Sequence, residues 1–197
     1  MSLSDLSLQD LCTEARKAGA CDIVDEILEE YSSVQDLLDR NSEKASEWAH
    51  WYALNVIEGR WPEAEPVIMK YPYQAYWYAR DVIKGRWPEA ESAIMTSPIM
   101  KDPAGAYQYA RYVIKGRWIE AESVIMTSPE WATWYACNVI KGRWPEAESV
   151  IMTSPEWAYQ YARYVIKGRW LEAEPIIRPD LACSFYYARN VVGGFWP

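Results

Sequence analysis

The chain has 197 residues, half of them apolar and 15% aromatic, with twelve Trp and fifteen Tyr against two Phe. That supply of large side chains fills a packed core and excludes a disordered chain. The formal net charge of −8 lacks the basic excess of a general nucleic-acid binder, and no run approaches the roughly 18 apolar residues of a membrane-spanning helix.

The N-terminal stretch MSLSDLSLQD has no basic region followed by an apolar one, so neither a secretory signal nor a membrane span is expected and the location read is cytoplasmic. Ser7 with Asp10 predicts a helix start and Gly19 a helix end. Asp22 to Glu30 reads as a second helix and Ser33 to Arg40 as a third, with Asn41 and Ser42 as a break. Residues 1–45 hold 11 acids and 4 bases, whereas residues 46–197 hold 17 and 16, so the acidity belongs to the first segment. Residues 1–45 are read as an acidic helical cap that closes one end of an array. The sharper alternative makes Asp22, Asp25, Glu26, Glu29 and Glu30 a docking face for a basic partner, or a mimic of nucleic acid.

From residue 46 to 197 one unit recurs, seen best in WPEAESVIMTSPEWAYQYARYVIKGRW, Trp144 to Trp170. Ala158, Tyr161, Ala162, Val165 and Ile166 form one apolar helical stripe. Ser154 suits the N-cap, Pro155 the first helical position and Gly168 a left-handed C′ position. The second helix, Trp144 to Met152, opens at Pro145 with Glu146 and Glu148 in its first turn and has a stripe of Ala147, Val150 and Ile151. It has about two turns, too few to persist alone, so neighbours must cover each other. Gly59, Gly85, Gly116, Gly142, Gly168 and Gly194 are spaced 26, 31, 26, 26 and 26, with a tryptophan two residues after each. Long helices are expected to begin near Ser46, Pro72, Pro103, Pro129, Pro155 and Leu181, with five short ones between. The expectation is an all-α chain, an α-solenoid of helix-turn-helix repeats (period 26) with about fourteen helices, three in the cap and eleven in the array.

The spacing of 31 marks an insertion, Ile99-Met100-Lys101-Asp102-Pro103. It reads as a harmless surface bulge or as a protruding apolar tip, Ile99 and Met100, that touches a partner. At the other end Phe195 and Trp196 either fold back over the last helix or lead into a longer parent chain, and Gly193–Gly194 in place of Lys–Gly favours the first.

Cys12, Cys21, Cys137 and Cys183 have no CxxC spacing and His50 is the one histidine, so free thiols are expected rather than a zinc site. Lys141 and Arg143 with Glu146 and Glu148 read as dipole complements and as a ladder of Arg–Glu pairs between adjacent repeats. The alternative is an anion site lined by Arg86, Arg117, Arg143 and Arg169. No GxGxxG, GxxxxGK[ST], HExxH or GxSxG occurs, and a near-perfect repeat spreads its groups too evenly for catalysis. No enzyme and no cofactor are expected.

Information lies where the repeats differ. Trp51, Trp77, Gln108, Trp134, Gln160 and Tyr186 share one position of the long helix. Asn55, Asp81, Tyr112, Asn138, Tyr164 and Asn190 share the position four residues on, so each pair sits side by side on one helix face. Arg80, Arg111, Arg163 and Arg189 edge that face. Bulk at one site trades against bulk at the other, as in a filled core or as in a graded contact surface, since aromatics and Arg dominate binding hot spots.

The motif YARxVIKGRWPEAExxI, seen from Tyr78 to Ile94, resembles a short helical repeat of tailed bacteriophage proteins and covers about residues 46–197. The resemblance implies a phage protein working in the host cytoplasm, with binding and inhibition, or adaptation, of a host defence protein as its role. The leading expectation is therefore a non-enzymatic binding protein with a protein partner. The runner-up is a small-molecule, nucleotide-like ligand held by aromatic and Arg residues of the repeat face. No direct nucleic-acid contact and no membrane are expected, and a homo-oligomer formed by stacking of array ends is compatible.

Overall fold

The computed structural model describes residues 7–40 and 42–196, without the side chains of Cys21 and Asp22. Among the described residues all regular structure is helical: fourteen α-helices, three before Glu43 and eleven after, as the period predicts. The chain forms two compact units, residues 1–98 and 99–197.

In the first unit Ser7 and Asp10 make a reciprocal capping box at the start of α1 (Leu8–Lys17), and Gly19 turns the chain at φ 98°. Helices α2 (Cys21–Glu30) and α3 (Val34–Asp39) follow, and Leu11, Cys12, Val24, Ile27 and Leu37 are fully buried. The Arg40 guanidinium beside Asp36 holds that carboxyl at about 2. Helix α4 (Glu43–Tyr52) starts three residues ahead of the expected Ser46 because the Ser42 hydroxyl already accepts from the Ala45 amide. Asn41 and the side chain of Asp22 fall outside the described residues. Of the remaining acidic face, Asp25 pairs with Arg16, and Glu26 and Glu30 pair with Lys44, so much of it is engaged within the unit. Helices α5 (Glu65–Met69), α6 (Pro72–Tyr78) and α7 (Glu91–Ile94) complete the unit.

The second unit contains α8 (Pro103–Gln108), α9 (Ile119–Ile125), α10 (Pro129–Tyr135), α11 (Pro145–Ile151), α12 (Pro155–Tyr161), α13 (Glu174–Ile177) and α14 (Leu181–Tyr187). Helices α8, α10, α12 and α14 pack side by side in sequence order. Ser128 and Ser154 cap α10 and α12, and Asp102 and Asp180 do so for α8 and α14.

One hydrogen-bonded hub recurs at the core. The Trp144 ring is buried, and its backbone N–H donates to Tyr161 Oη at 2.6 Å; that hydroxyl donates to Glu148 Oε1 at 3.1 Å. Arg143 holds the same carboxylate with two bonds of 2.8 Å. Trp118, Tyr135, Glu122 and Arg117 repeat the arrangement, as do Trp170, Tyr187, Glu174 and Arg169. Trp61, Tyr78, Glu65 and Arg60 do the same in the first unit. The Arg–Glu pairs therefore do not bridge adjacent repeats, as the ladder expected: each arginine pairs with the glutamate five residues on, in the short helix that follows it. The bridge is the tyrosine hydroxyl, 17 residues after the tryptophan.

The long helices also end differently from the expectation that Gly168 takes the left-handed position. Each closes in a π-helical turn, such as Ala136–Ile140 and Ala162–Ile166, with the Gly142 N–H reaching back to the Ala136 carbonyl at 3.2 Å. The residue before the glycine then reverses the chain: Lys115, Lys141 and Lys167 have φ of 60°, 60° and 59°, and Glu58 and Lys84 do the same in the first unit. In the last copy a glycine, Gly193, stands in that place at φ 82°. The extra residue of the π turn rotates the end of the stripe away from the core, which leaves Val165 and Ile166 half-buried. A non-glycine residue pays for this conformation with Cβ crowding. Lys141→Gly should therefore stabilise the chain by about 0.5–1 kcal/mol, read as a higher urea midpoint at unchanged slope. A lower midpoint would show that the lysine side chain contributes more than its strain costs.

The insertion does not protrude. Met100 is 1% exposed and Ile99 is half-buried, in a short 3₁₀ turn, Pro98–Lys101. A Cβ built on Gly105 would lie 2.2 Å from the Ile99 carbonyl oxygen and 2.6 Å from its Cγ2. The next two repeats carry Trp131 and Trp157 at the position of Gly105. The inserted isoleucine thus fills room that an indole occupies elsewhere, and Ile99 and Met100 do not form the exposed contact tip expected of them.

Candidate functional site

The variable face of the second unit converges on one cavity of about 400 Å³ between α8, α10 and their π turns. Gln108, Arg111 and Tyr112 come from the first helix and turn, Trp134 and Asn138 from the second; all five stood out in the sequence. Tyr107 and Trp131 complete the lining. Sequence reasoning passed over these two, although the position of Tyr107 varies as strongly (His50, Tyr76, Tyr107, Thr133, Tyr159, Phe185), a signal that was there to read.

Tyr107 organises the site. It is 4% exposed, and its hydroxyl accepts from Arg111 Nη1 and from Asn138 Nδ2, the latter at 3.0 Å. Asn138 also donates to the Trp134 carbonyl at 3.0 Å, which fixes the amide, and its oxygen has no partner among the described residues. The Arg111 guanidinium lies 5.0 Å from the Tyr112 ring, and Tyr112 is 58% exposed. The Trp131 ring sits 5.4 Å from that of Tyr107.

The trade of bulk is thus made between neighbouring helices and not within one. Tyr159 accepts from Asn190 at 2.7 Å and from Arg163 at 3.0 Å, repeating the Tyr107 arrangement two long helices on. In the intervening step Trp134 stacks on Tyr164 at 6.2 Å and meets the Trp157 edge at 6.0 Å. The alternation of Gln–Tyr and Trp–Asn is a packing code, and it leaves part of each aromatic ring at the surface.

The remaining expected residues fall elsewhere. Gln160 on α12 and Arg163 and Tyr164 in its π turn form a sister step, with the Arg163 guanidinium 4.8 Å from the Tyr164 ring; Cys183 there stands where Trp131 stands in the first. Arg189 lines a separate apolar hollow with Leu181, Phe185, Phe195 and Trp196. The Trp196 ring packs 4.8 Å from that of Tyr187, while Phe195 is 90% exposed. Trp51, Trp77 and Arg80 belong to the first unit. There Arg80 is held by Asp81 at 2.6 Å and lies 3.7 Å over Trp77, so its charge is neutralised.

Charge separates the two units. Arg86, Arg117, Arg143 and Arg169 are each held by a glutamate, which removes the anion site suggested for them. Arg111 and Arg163 have no carboxylate partner among the described residues. Beside the cavity, Lys115 and Lys141 line a second hollow with Arg111, Tyr112 and Asn138, and Lys141 and Lys167 line a third with Tyr164. No acid lines any of the three, whereas the matching hollow of the first unit contains Glu58 and Asp81. The edge is aromatic and cationic and can stack flat groups and grip anions.

Other chemistry is sparse. His50 lies in the first unit, 3.1 Å from Gln74 Oε1, and burial lowers its pKa. Cys12, Cys137 and Cys183 are free thiols. Among the described residues no three His, Cys, Asp or Glu converge on a metal position, and no helix is long and apolar enough to cross a membrane. No family model, curated protein or solved structure matches the chain.

Proposed function

We propose that this chain is a non-enzymatic binding protein, an α-solenoid of 26-residue helix pairs with a helical cap, that engages a protein partner through the variable face of its long helices. The observation that carries this reading is the convergence of Gln108, Arg111, Tyr112, Trp134 and Asn138 on one open cavity. Large aromatics and an arginine held in place by packing, with one ring more than half exposed, are the usual anchors of an interface. The likeness of the KGRWPEAE motif to repeats of tailed bacteriophage proteins favours a host protein, a defence component among them, as the partner, and the host cytoplasm as the place.

The test compares wild type with Tyr112→Asp and Trp134→Ala as baits in a bacterial host lysate, with folding checked by circular dichroism. A host protein retained by wild type and reduced at least tenfold by both variants supports the reading. Equal recovery by all three places the contact elsewhere and overturns it.

A further inference from the structure

Within that face, the geometry points to a slot for a nucleoside phosphate in the cavity of Arg111. This deepens the reading of the face as a binding surface and rests on it. The cavity offers three kinds of group, and that ligand class uses all three. Trp131, Trp134 and Tyr112 supply flat apolar surfaces on which any base can stack. The Gln108 amide makes no hydrogen bond among the described residues, and the Asn138 oxygen is unused while its nitrogen is fixed by two acceptors. The Gln108 amide matches the paired donor and acceptor on the edge of an adenine, and the Asn138 oxygen adds one further acceptor. The Arg111 guanidinium is held at Nη1 by Tyr107, which orients its remaining N–H groups without neutralising them, and no carboxylate lines the cavity. Lys141 in the adjoining hollow extends the positive edge along which a phosphate would lie.

Size and charge select among anions. A cavity of about 400 Å³ is at the lower end of the range for small-ligand sites and suits one nucleotide. Residues 99–197 carry 10 acids and 11 bases, so the positive field is local to this edge, and a long polyanion would meet the −8 of the whole chain. The sister step at Arg163 has the same tyrosine and arginine, but Cys183 replaces the Trp131 wall and Tyr159 stacks on Tyr186 at 6.4 Å. It provides an internal control.

The probe is AMP, titrated into the full chain while tryptophan fluorescence and saturation-transfer NMR are recorded. Saturable quenching with transfer to the adenine protons is expected. Arg111→Gln should weaken it at least tenfold, Arg111→Lys less, and Arg163→Gln less than twofold; adenosine should bind at least tenfold more weakly than AMP. Absence of saturation at millimolar AMP, or unchanged binding by folded Arg111→Gln, overturns the slot. Equal loss in Arg111→Gln and Arg163→Gln also overturns it, since it shows diffuse attraction to a basic edge. Partner recovery that depends on Tyr112 and Trp134 while AMP fails to bind leaves the protein-binding face standing and removes only the slot.

Discussion

Tyr161→Phe is expected to lower stability by about 2–3 kcal/mol, although it deletes a single oxygen. The ring stays, so no cavity opens; what goes is the atom that serves two buried groups at once. The Trp144 amide loses its acceptor at 2.6 Å, and Glu148 loses a donor at 3.1 Å while keeping Arg143. An orphaned buried N–H costs its full desolvation penalty, about 1–3 kcal/mol, and a bond to a charged acceptor adds to it. Burial pushes the Tyr161 hydroxyl up to about 12 from an ordinary value of 10.0. A raised folded-state pKa contributes stability that is whole below pH 10 and is lost as pH rises towards 12. Tyr78, Tyr135 and Tyr187 shift in the same direction for the same cause, burial, so wild type should lose stability steeply above pH 10. Urea titrations at pH 7 and pH 11 check both statements: the variant should start lower and then fall less. A variant as stable as wild type at pH 7 would mean that water reaches the Trp144 amide once the hydroxyl is gone.

Gly105→Ala should cost about 2–3 kcal/mol, an unusual penalty for a glycine within a helix, where alanine normally helps. The reason is the inserted turn. The new methyl would sit 2.2 Å from the Ile99 carbonyl oxygen, and backbone cannot swing aside as a side-chain tip can. The same substitution at Gly116, where no atom lies within 4 Å of an added Cβ and φ is not left-handed, should stay within about 0.5 kcal/mol and is the control. Thermal melts of the two variants beside wild type decide the matter. If Gly105→Ala is as stable as Gly116→Ala, the Ile99 turn yields easily and does not plug the place of the missing tryptophan.

The acid side follows the opposite sign. The Arg169 guanidinium beside Glu174 holds that carboxyl below its usual range, so the stability it contributes is whole above that range and lost as the pH falls.

Much of the architecture was legible because it depends on local rules repeated six times. Serine caps, first-turn prolines and the 3.6-residue stripe specify helix starts, and every long helix after the first begins where its proline or leucine predicts. Helix ends were less legible: in four of the six copies the αL residue is a lysine, and nothing in lysine's own preferences announces that. Each long helix ends instead in a π turn, and the reversal is displaced one residue ahead of the glycine. The candidate site divides in the same way. The paired variation of Gln108 with Tyr112 and of Trp134 with Asn138 marked a face, since residues four apart share a helix side. That their partner is Tyr107, and that Trp131 closes the wall, depends on contacts 24 to 31 residues apart along the chain. The insertion shows the limit most sharply. Ile99 and Met100 are apolar and flanked by turn residues, which reads equally well as a tip or a plug; the missing side chain of Gly105, six residues on, made room for the plug. The sequence by itself determined the helices, their period and the face that varies, because propensity, capping and hydrophobic spacing act within a few residues. The tertiary structure alone decided which arginines keep their charge available, where the inserted turn lies and which hydroxyl joins one repeat to the next, because those outcomes are set by distances between side chains remote in the chain.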